Sequence, residues 1–134
     1  MNYYNEIKNK LIDNEVYKRV KDYSKNRNDL STYYEVGKLL IEAQGGENRA
    51  KYGNGLIKEY SKRLTSELGK GYTFIALSRM RQFYVLSEKV ATLSQQLSWS
   101  HYSELLSLND VNEINYYISI TESYNLSVRE LREK

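Results

Sequence analysis

Apolar side chains recur at every third or fourth position along a chain of 134 residues that contains no proline. This spacing places them on one face of a helix, and no segment longer than a few residues shows the alternation of a half-buried strand. Proline interrupts helices, so its absence is consistent with long helical segments. We therefore expect an all-α fold, a compact multi-helix bundle with little or no sheet.

Length and composition limit what such a bundle can do. The length suits a single helical domain, residues 1–134, around one core. The chain has no Cys and one His, which excludes disulfides, thiolate zinc sites and cysteine nucleophiles. No apolar stretch approaches the roughly 20 residues of a membrane span. We expect a cytoplasmic protein that needs no metal or cofactor and has no membrane contact.

The net charge alone does not indicate what kind of partner the chain binds. The chain carries 20 basic and 17 acidic residues, and a net charge of +3 is too small to indicate nucleic-acid binding on charge alone. Candidate contacts must therefore come from the position of individual basic residues.

The first two helices are predicted from spacing and from capping residues. Residues 3 to about 24 form an amphipathic first helix, which the polar run Lys25–Asn28 then breaks. Asp29 or Ser31 caps the second helix, and Gly45-Gly46 ends it with a left-handed turn.

The second, third and fourth helices carry the main apolar faces. The face of the second helix contains Tyr33, Val36, Gly37, Leu40 and Ile41. Gly37 on that face predicts a close approach by another helix. The third helix runs from about Asn48 to Leu68, Gly69-Lys70-Gly71 forms a turn, and Thr73 caps the fourth helix. The fourth helix buries Leu77, Met80, Phe83 and Tyr84.

Three further helices are predicted near the C-terminus by their caps. Ser98 caps a short fifth helix through Leu108, Asp110 caps a sixth from Val111 to about Tyr124, and Ser127 with Glu130 forms a capping box for a last one.

Six short sequence strings carry a resemblance to a known family. They are Tyr34-x-Val36-Gly37, Arg49-Ala50-x-Tyr52-Gly53, Glu67-Leu68-Gly69-Lys70-Gly71-Tyr72, Met80-Arg81-x-Phe83-Tyr84, Gln96-Leu97-Ser98-Trp99-Ser100-His101-Tyr102 and Ser127-Val128-Arg129-Glu130-Leu131. With these strings the chain resembles the N-terminal helical domain of the YhcG family of bacterial proteins. The resemblance implies a helical domain that precedes a restriction-endonuclease-like PD-(D/E)xK nuclease domain.

The catalytic motif of such a nuclease is absent from this chain. The motif needs an Asp on one strand and (Asp/Glu)-x-Lys on the next, so that carboxylates hold Mg²⁺ beside a Lys. Glu6-Ile7-Lys8 is the one Glu-x-Lys string, and it lies in a predicted helix. We therefore expect a module that is not an enzyme.

The chain departs from the family pattern at positions that bear on its partner. Phe74, Ile75 and Ala76 stand where family members tend to have polar residues, and Ile114 stands where an Arg is expected. A more apolar surface makes a protein-binding face with Phe74, Ile75 and Ile114 an alternative to DNA binding.

The third and fourth helices with their glycine-containing turn resemble a helix-turn-helix. On a helical wheel Ile75, Ser78, Arg79 and Gln82 share the face opposite Leu77 and Tyr84. Arg79 and Gln82 are then candidates for reading base edges. Phosphate contacts are expected from the neighbouring basic residues Arg49, Lys62, Lys70 and Arg81. An αα-hairpin that only packs remains the alternative interpretation.

Two strings invite a catalytic or nucleotide-binding interpretation that their spacing does not support. Ser100 and His101 are adjacent and point about 100° apart on a helix, so we expect His101 to donate a structural hydrogen bond to a backbone carbonyl. Gly69-Lys70-Gly71 lacks the earlier Gly and the Ser or Thr of a phosphate loop and is expected to be a turn.

The sequence thus leaves three hypotheses. The first is a DNA-recognition or targeting module of a YhcG-like nuclease system, bound to double-stranded DNA. The second is a stand-alone inhibitor of anti-CRISPR type, or an adaptor, from a phage or plasmid that binds a nuclease or defence complex. The third is a module that forms homodimers.

Overall fold

The computed structural model describes residues 2–20, 25–45, 54–89, 94, 96–108 and 110–134. Within these ranges the chain forms seven α-helices and no strand, which confirms the all-α fold. The helices are α1 (Tyr3–Val20), α2 (Lys25–Ala43), α3 (Asn54–Leu68), α4 (Phe74–Lys89), α5 (Trp99–Leu105), α6 (Val111–Tyr124) and α7 (Val128–Arg132). Among the described helices none is long and apolar enough to cross a bilayer.

Helix α2 is the centre of the packing. It lies against α1 on one side and α4 on the other, while α3 contacts both α4 and α1, and α5 contacts α2 and α7. The apolar face predicted for α2 is buried throughout, as are Leu77, Met80 and Phe83 of α4. Tyr84, expected on the same buried side, is half-buried. This packing leaves the opposite side of α4 on the surface.

Gly37 allows the close approach of α2 and α4. A Cβ on this residue would lie 2.2 Å from the carbonyl oxygen of Met80 and 2.9 Å from Cβ of Tyr84. Any other side chain would force the two helix backbones apart, which confirms the prediction from the sequence.

The predicted start of the second helix is wrong. Lys25–Asn28, expected to break a helix, are the first residues of α2, because a polar run without Gly or Pro carries only a modest propensity cost. Asp29 lies inside the helix and is only 9% exposed, so it does not cap it. Its Oδ1 accepts a hydrogen bond of 3.0 Å from Nδ2 of Asn14 in α1. Ser31 is also inside α2.

Parts of the predicted first and third helices lie outside the described residues. These are positions 21–24, where the first helix was expected to end, and positions 48–53, where the third was expected to begin. The described parts, α1 and α3, are helical as predicted.

The predicted turns and caps around α4 to α7 are present. Gly69 and Gly71 have φ of +100° and +111°, and Gly45 after α2 has φ of +91°. Side-chain oxygens cap four helices by accepting backbone N–H bonds: Thr73 from Ala76 (3.0 Å), Ser98 from His101 (3.3 Å), Asp110 from Asn112 (2.9 Å) and Ser127 from Glu130 (3.1 Å).

Helix α5 ends earlier than expected, at Leu105 rather than Leu108. The Ser107 hydroxyl donates a 2.8 Å bond to the backbone carbonyl of Glu104. This carbonyl would otherwise accept a backbone N–H bond of a longer helix, so the side-chain bond favours an earlier end.

Candidate nucleic-acid interface

The outer side of α4 presents the face that the helical wheel predicts. Ile75 is 67% exposed, Gln82 is exposed, and Ser78 and Arg79 are half-buried between them. Nη1 of Arg79 lies 3.3 Å from Oε1 of Gln82, so the two side chains point to the same region of surface. We call Ile75, Ser78, Arg79 and Gln82 the α4 stripe. It offers hydrogen-bond donors beside an apolar side chain.

Two exposed lysines lie on α3, the helix that precedes α4, and one of them contacts the start of α4. Lys58 and Lys62 are exposed and lie one helical turn apart. The Ser61 hydroxyl donates a 2.7 Å bond to the Tyr72 carbonyl, which holds the end of the turn against α3. Nζ of Lys58 lies 5.7 Å from the centre of the Phe74 ring, at the first turn of α4.

The turn itself adds a third cation. Lys70 is exposed between Gly69 and Gly71. We call Lys58, Lys62 and Lys70 the lysine corner. The sequence predicts that Lys62 and Lys70 contact phosphate. Lys58 was not singled out, although its spacing of four residues from Lys62 was a usable signal.

Another side of α3 contacts α1 and includes an ion pair. Glu67 pairs with Nζ of Lys8 at 2.6 Å and accepts a 2.8 Å bond from the Tyr4 hydroxyl. The hydrogen bonds from Lys8 and then Tyr4 lower the pKa of Glu67. The Arg63 guanidinium lies 3.6 Å from the centre of the Tyr4 ring. Glu59 is exposed and lies about 100° around the helix from Lys58.

Two of the predicted phosphate contacts are not part of this surface as described. Arg81 lies on another side of α4, where its Nε donates a 3.1 Å bond to Oε1 of Gln44 at the end of α2. Two residues along a helix turn a side chain by about 200°, which separates Arg81 from Arg79. Arg49 lies outside the described residues.

The three apolar interface candidates do not form one face. Ile75 is exposed, whereas Phe74 is half-buried and packed against the core under Lys58. Ile114 is only 4% exposed and belongs to the core, so its expected place on a binding surface is wrong. Its position on α6 faces inward because Ile114 and Ile118 repeat at helical spacing.

His101 has the structural role expected of it. Its Nδ1 accepts a 3.1 Å bond from the Ser98 backbone N–H, which leaves the proton on Nε2. Nε2 then donates a 2.9 Å bond to the carbonyl of Leu126 and ties α5 to the segment before α7. Ser100 is exposed. Across the described ranges no group of three or more His, Asp or Glu side chains could hold a metal ion.

Comparison with known proteins decides the family. The sequence profile of the DUF1016 N-terminal domain matches residues 7–134. The chain belongs to this family. Its DUF1016 region is 40% identical over 72 residues to a protein of Escherichia coli (strain K12) named "Putative nuclease YhcG". This confirms the resemblance to the YhcG N-terminal domain.

The match covers unequal parts of the two proteins. It includes 51% of this chain and 19% of YhcG, so about half of this chain aligns with about a fifth of the length of that relative. No solved structure matches the chain. The nuclease name belongs to the longer protein.

Proposed function

We propose that this chain is a non-catalytic DNA-binding module of a nuclease system, with the α4 stripe facing a major groove. The proposal is supported by family membership and by one structural observation. Arg79 and Gln82 share one region of the α4 surface, and three exposed lysines lie on the helix and the turn that lead into α4, with Lys58 in contact with Phe74.

The chemistry of the α4 stripe suits base edges. Arg79 can donate two hydrogen bonds to guanine, Gln82 can pair with adenine, and Ile75 can contact a thymine methyl group. Helix α4 has 16 residues, about 24 Å, and a major groove about 12 Å wide admits a helix. The bond between Arg79 and Gln82 brings both side chains to the same region of surface.

The lysine corner suits the phosphate backbone. Lys58 lies beside the N-terminal end of α4, Lys62 lies one turn further along α3, and Lys70 lies in the turn that leads into α4. Phosphate contacts fix the register of a helix in the groove and supply most of the affinity that does not depend on sequence. In a helix-turn-helix one helix contacts base edges while neighbouring residues contact the phosphate backbone. The α4 stripe and the lysine corner would have these two roles here.

Fluorescence anisotropy with a labelled duplex at about 50 mM salt tests the proposal. We expect the wild type to bind and the double variant Lys62→Gln, Lys70→Gln to bind at least about tenfold more weakly. Lys89→Gln is the matched control, because Lys89 is exposed at the far end of α4, about 22 Å along the helix from Phe74. Arg79→Ala should reduce discrimination between two duplex sequences.

The alternatives give different results. No duplex binding by the wild type contradicts the proposal. A host protein that the wild type captures and Ile75→Asp does not would then support the inhibitor or adaptor hypothesis, because Ile75 is the exposed member of the apolar set.

A further inference from the structure

A cleft of about 380 Å³ lies between α4 and α5, next to the α4 stripe. Its walls include the apolar side chains of Ile75 and Trp99 and the hydroxyls of Thr73 and Ser103. Ile75 and Arg79 belong to both the cleft and the stripe. Anything bound along the stripe therefore lies at the mouth of this cleft.

The indole of Trp99 is held firmly in the cleft wall. Its ring centre lies 4.6 Å from that of Tyr33 and 5.2 Å from that of Phe83, the latter in an edge-on arrangement. Both partners are core residues of α2 and α4. The indole thus provides a fixed aromatic surface, which costs little ordering entropy when a ligand binds.

The two charged side chains that line the cleft, Arg79 and Glu104, have opposite signs, which suits an uncharged base. Glu104 lines the cleft, and its Oε1 accepts bonds of 2.5 Å and 3.1 Å from Nη2 and Nε of Arg132. The Arg132 bond, with smaller contributions from the charges of Arg132 and Arg79, lowers the pKa of Glu104. Glu104 is therefore held in an ion pair with Arg132, which does not line the cleft, and the two charged residues of the lining balance each other.

We propose that this cleft receives one unstacked base of the bound DNA. The base contacts the indole of Trp99 and the side chain of Ile75, while the Thr73 and Ser103 hydroxyls and Arg79 supply hydrogen bonds to its edge. A volume of about 380 Å³ is in the range of small-ligand sites, roughly 300–1,000 Å³. The inference rests on the proposed function, because the strand must first lie along the α4 stripe. A base that is already unpaired enters at the lowest energetic cost.

Two labelled duplexes that differ by one bulged adenine test this inference. The wild type should bind the bulged duplex about tenfold more tightly than the fully paired one. Trp99 is the only tryptophan of the chain, so its emission reports directly on the cleft. We expect the bulged duplex, and not the paired one, to quench it.

Ser103→Leu fills the cleft without touching the lysine corner. We expect this variant to bind the bulged duplex no more tightly than the paired one. Its affinity for the paired duplex should equal that of the wild type. Ser119→Leu is the matched control, because Ser119 is exposed on α6 and does not line the cleft; it should keep both. Circular dichroism checks that each variant is folded.

Each failure has its own signature. Equal affinity of the wild type for both duplexes, with unchanged Trp99 emission, overturns the inference and leaves the proposed function standing. Absence of binding to either duplex overturns the proposed function and the inference with it. Loss of the preference in Ser119→Leu also contradicts a role for the cleft.

Discussion

Gly37 of α2 lies against the backbone of α4, where a Cβ would stand 2.2 Å from the Met80 carbonyl oxygen. The obstacle is backbone, so a side-chain rotation cannot relieve it. We expect Gly37→Ala to lower the free energy of unfolding by about 1–3 kcal/mol, as overpacking does, despite the better helix propensity of Ala. Urea denaturation measures the change.

Gly55 of α3 is the matched control for this substitution. A Cβ there would meet nothing within 4 Å. Gly55→Ala should therefore leave stability unchanged or raise it by up to about 1 kcal/mol. If Gly37→Ala proves as stable as Gly55→Ala, the helices are not in the contact described.

Individual residues also show where sequence reasoning fails. The wheel identifies Arg79 and Gln82 as exposed neighbours because that relation lies within one helix. It cannot show that Arg81 bonds Gln44, because that depends on which helices become neighbours. The burial of Ile114 was missed although Ile114 and Ile118 lie on one face of the same helix.

Glu67 of α3 contacts Lys8 and Tyr4 of α1, and these contacts predict that stability depends on pH. The bonds from Lys8 and Tyr4 lower the pKa of Glu67 below its ordinary value of 4.5. Ionised Glu67 therefore stabilises the fold above that pH, and its contribution disappears as the pH falls through the lowered pKa. We expect wild-type stability to fall more between about pH 6 and pH 3 than that of Glu67→Gln.

Urea denaturation at several pH values measures this difference. Glu59→Gln, which removes an exposed carboxylate from the same helix, is the control and should keep the wild-type profile. An identical acid dependence in wild type and Glu67→Gln would show that the contacts of Glu67 do not contribute.

Helix α7 has five residues and depends on its cap. Ser127 and Glu130 satisfy each other's backbone N–H groups at 3.0 Å and 3.1 Å, and buried Leu131 anchors the helix. Ser127→Ala should cost about 1 kcal/mol. Hydrogen exchange should show faster exchange of the α7 amides in this variant and not in Ser119→Ala. Unchanged protection of the Glu130 amide would contradict the capping role.

Element boundaries were predictable where their cause is local. A cap joins residues two or three apart, so Thr73, Ser98, Asp110 and Ser127 identify the starts of four helices. The start of α2 was missed because Lys25–Asn28 join the helix at a modest propensity cost, and because Asp29, expected as the cap, bonds Asn14 of α1 instead.

At the scale of the molecule, the described residues form a helical scaffold with a cationic, partly apolar surface around α4. Helical periodicity predicts the all-α fold because it recurs along the whole chain. The site was only partly predictable. Lys62, Lys70, Arg79 and Gln82 lie around the start and the outer side of α4, while Lys58 and the cleft at Trp99 require the three-dimensional packing.

The salt dependence of duplex binding tests the central claim most directly. Each phosphate contact contributes about −0.9 to the slope of the logarithm of the association constant against the logarithm of salt concentration. Three lysine contacts therefore predict a slope of about −3 for the wild type. The slope should fall to about −1 in the double variant Lys62→Gln, Lys70→Gln and stay unchanged in Lys89→Gln. A slope near zero in the wild type, or the same slope in the wild type and the double variant, would contradict binding through the lysine corner.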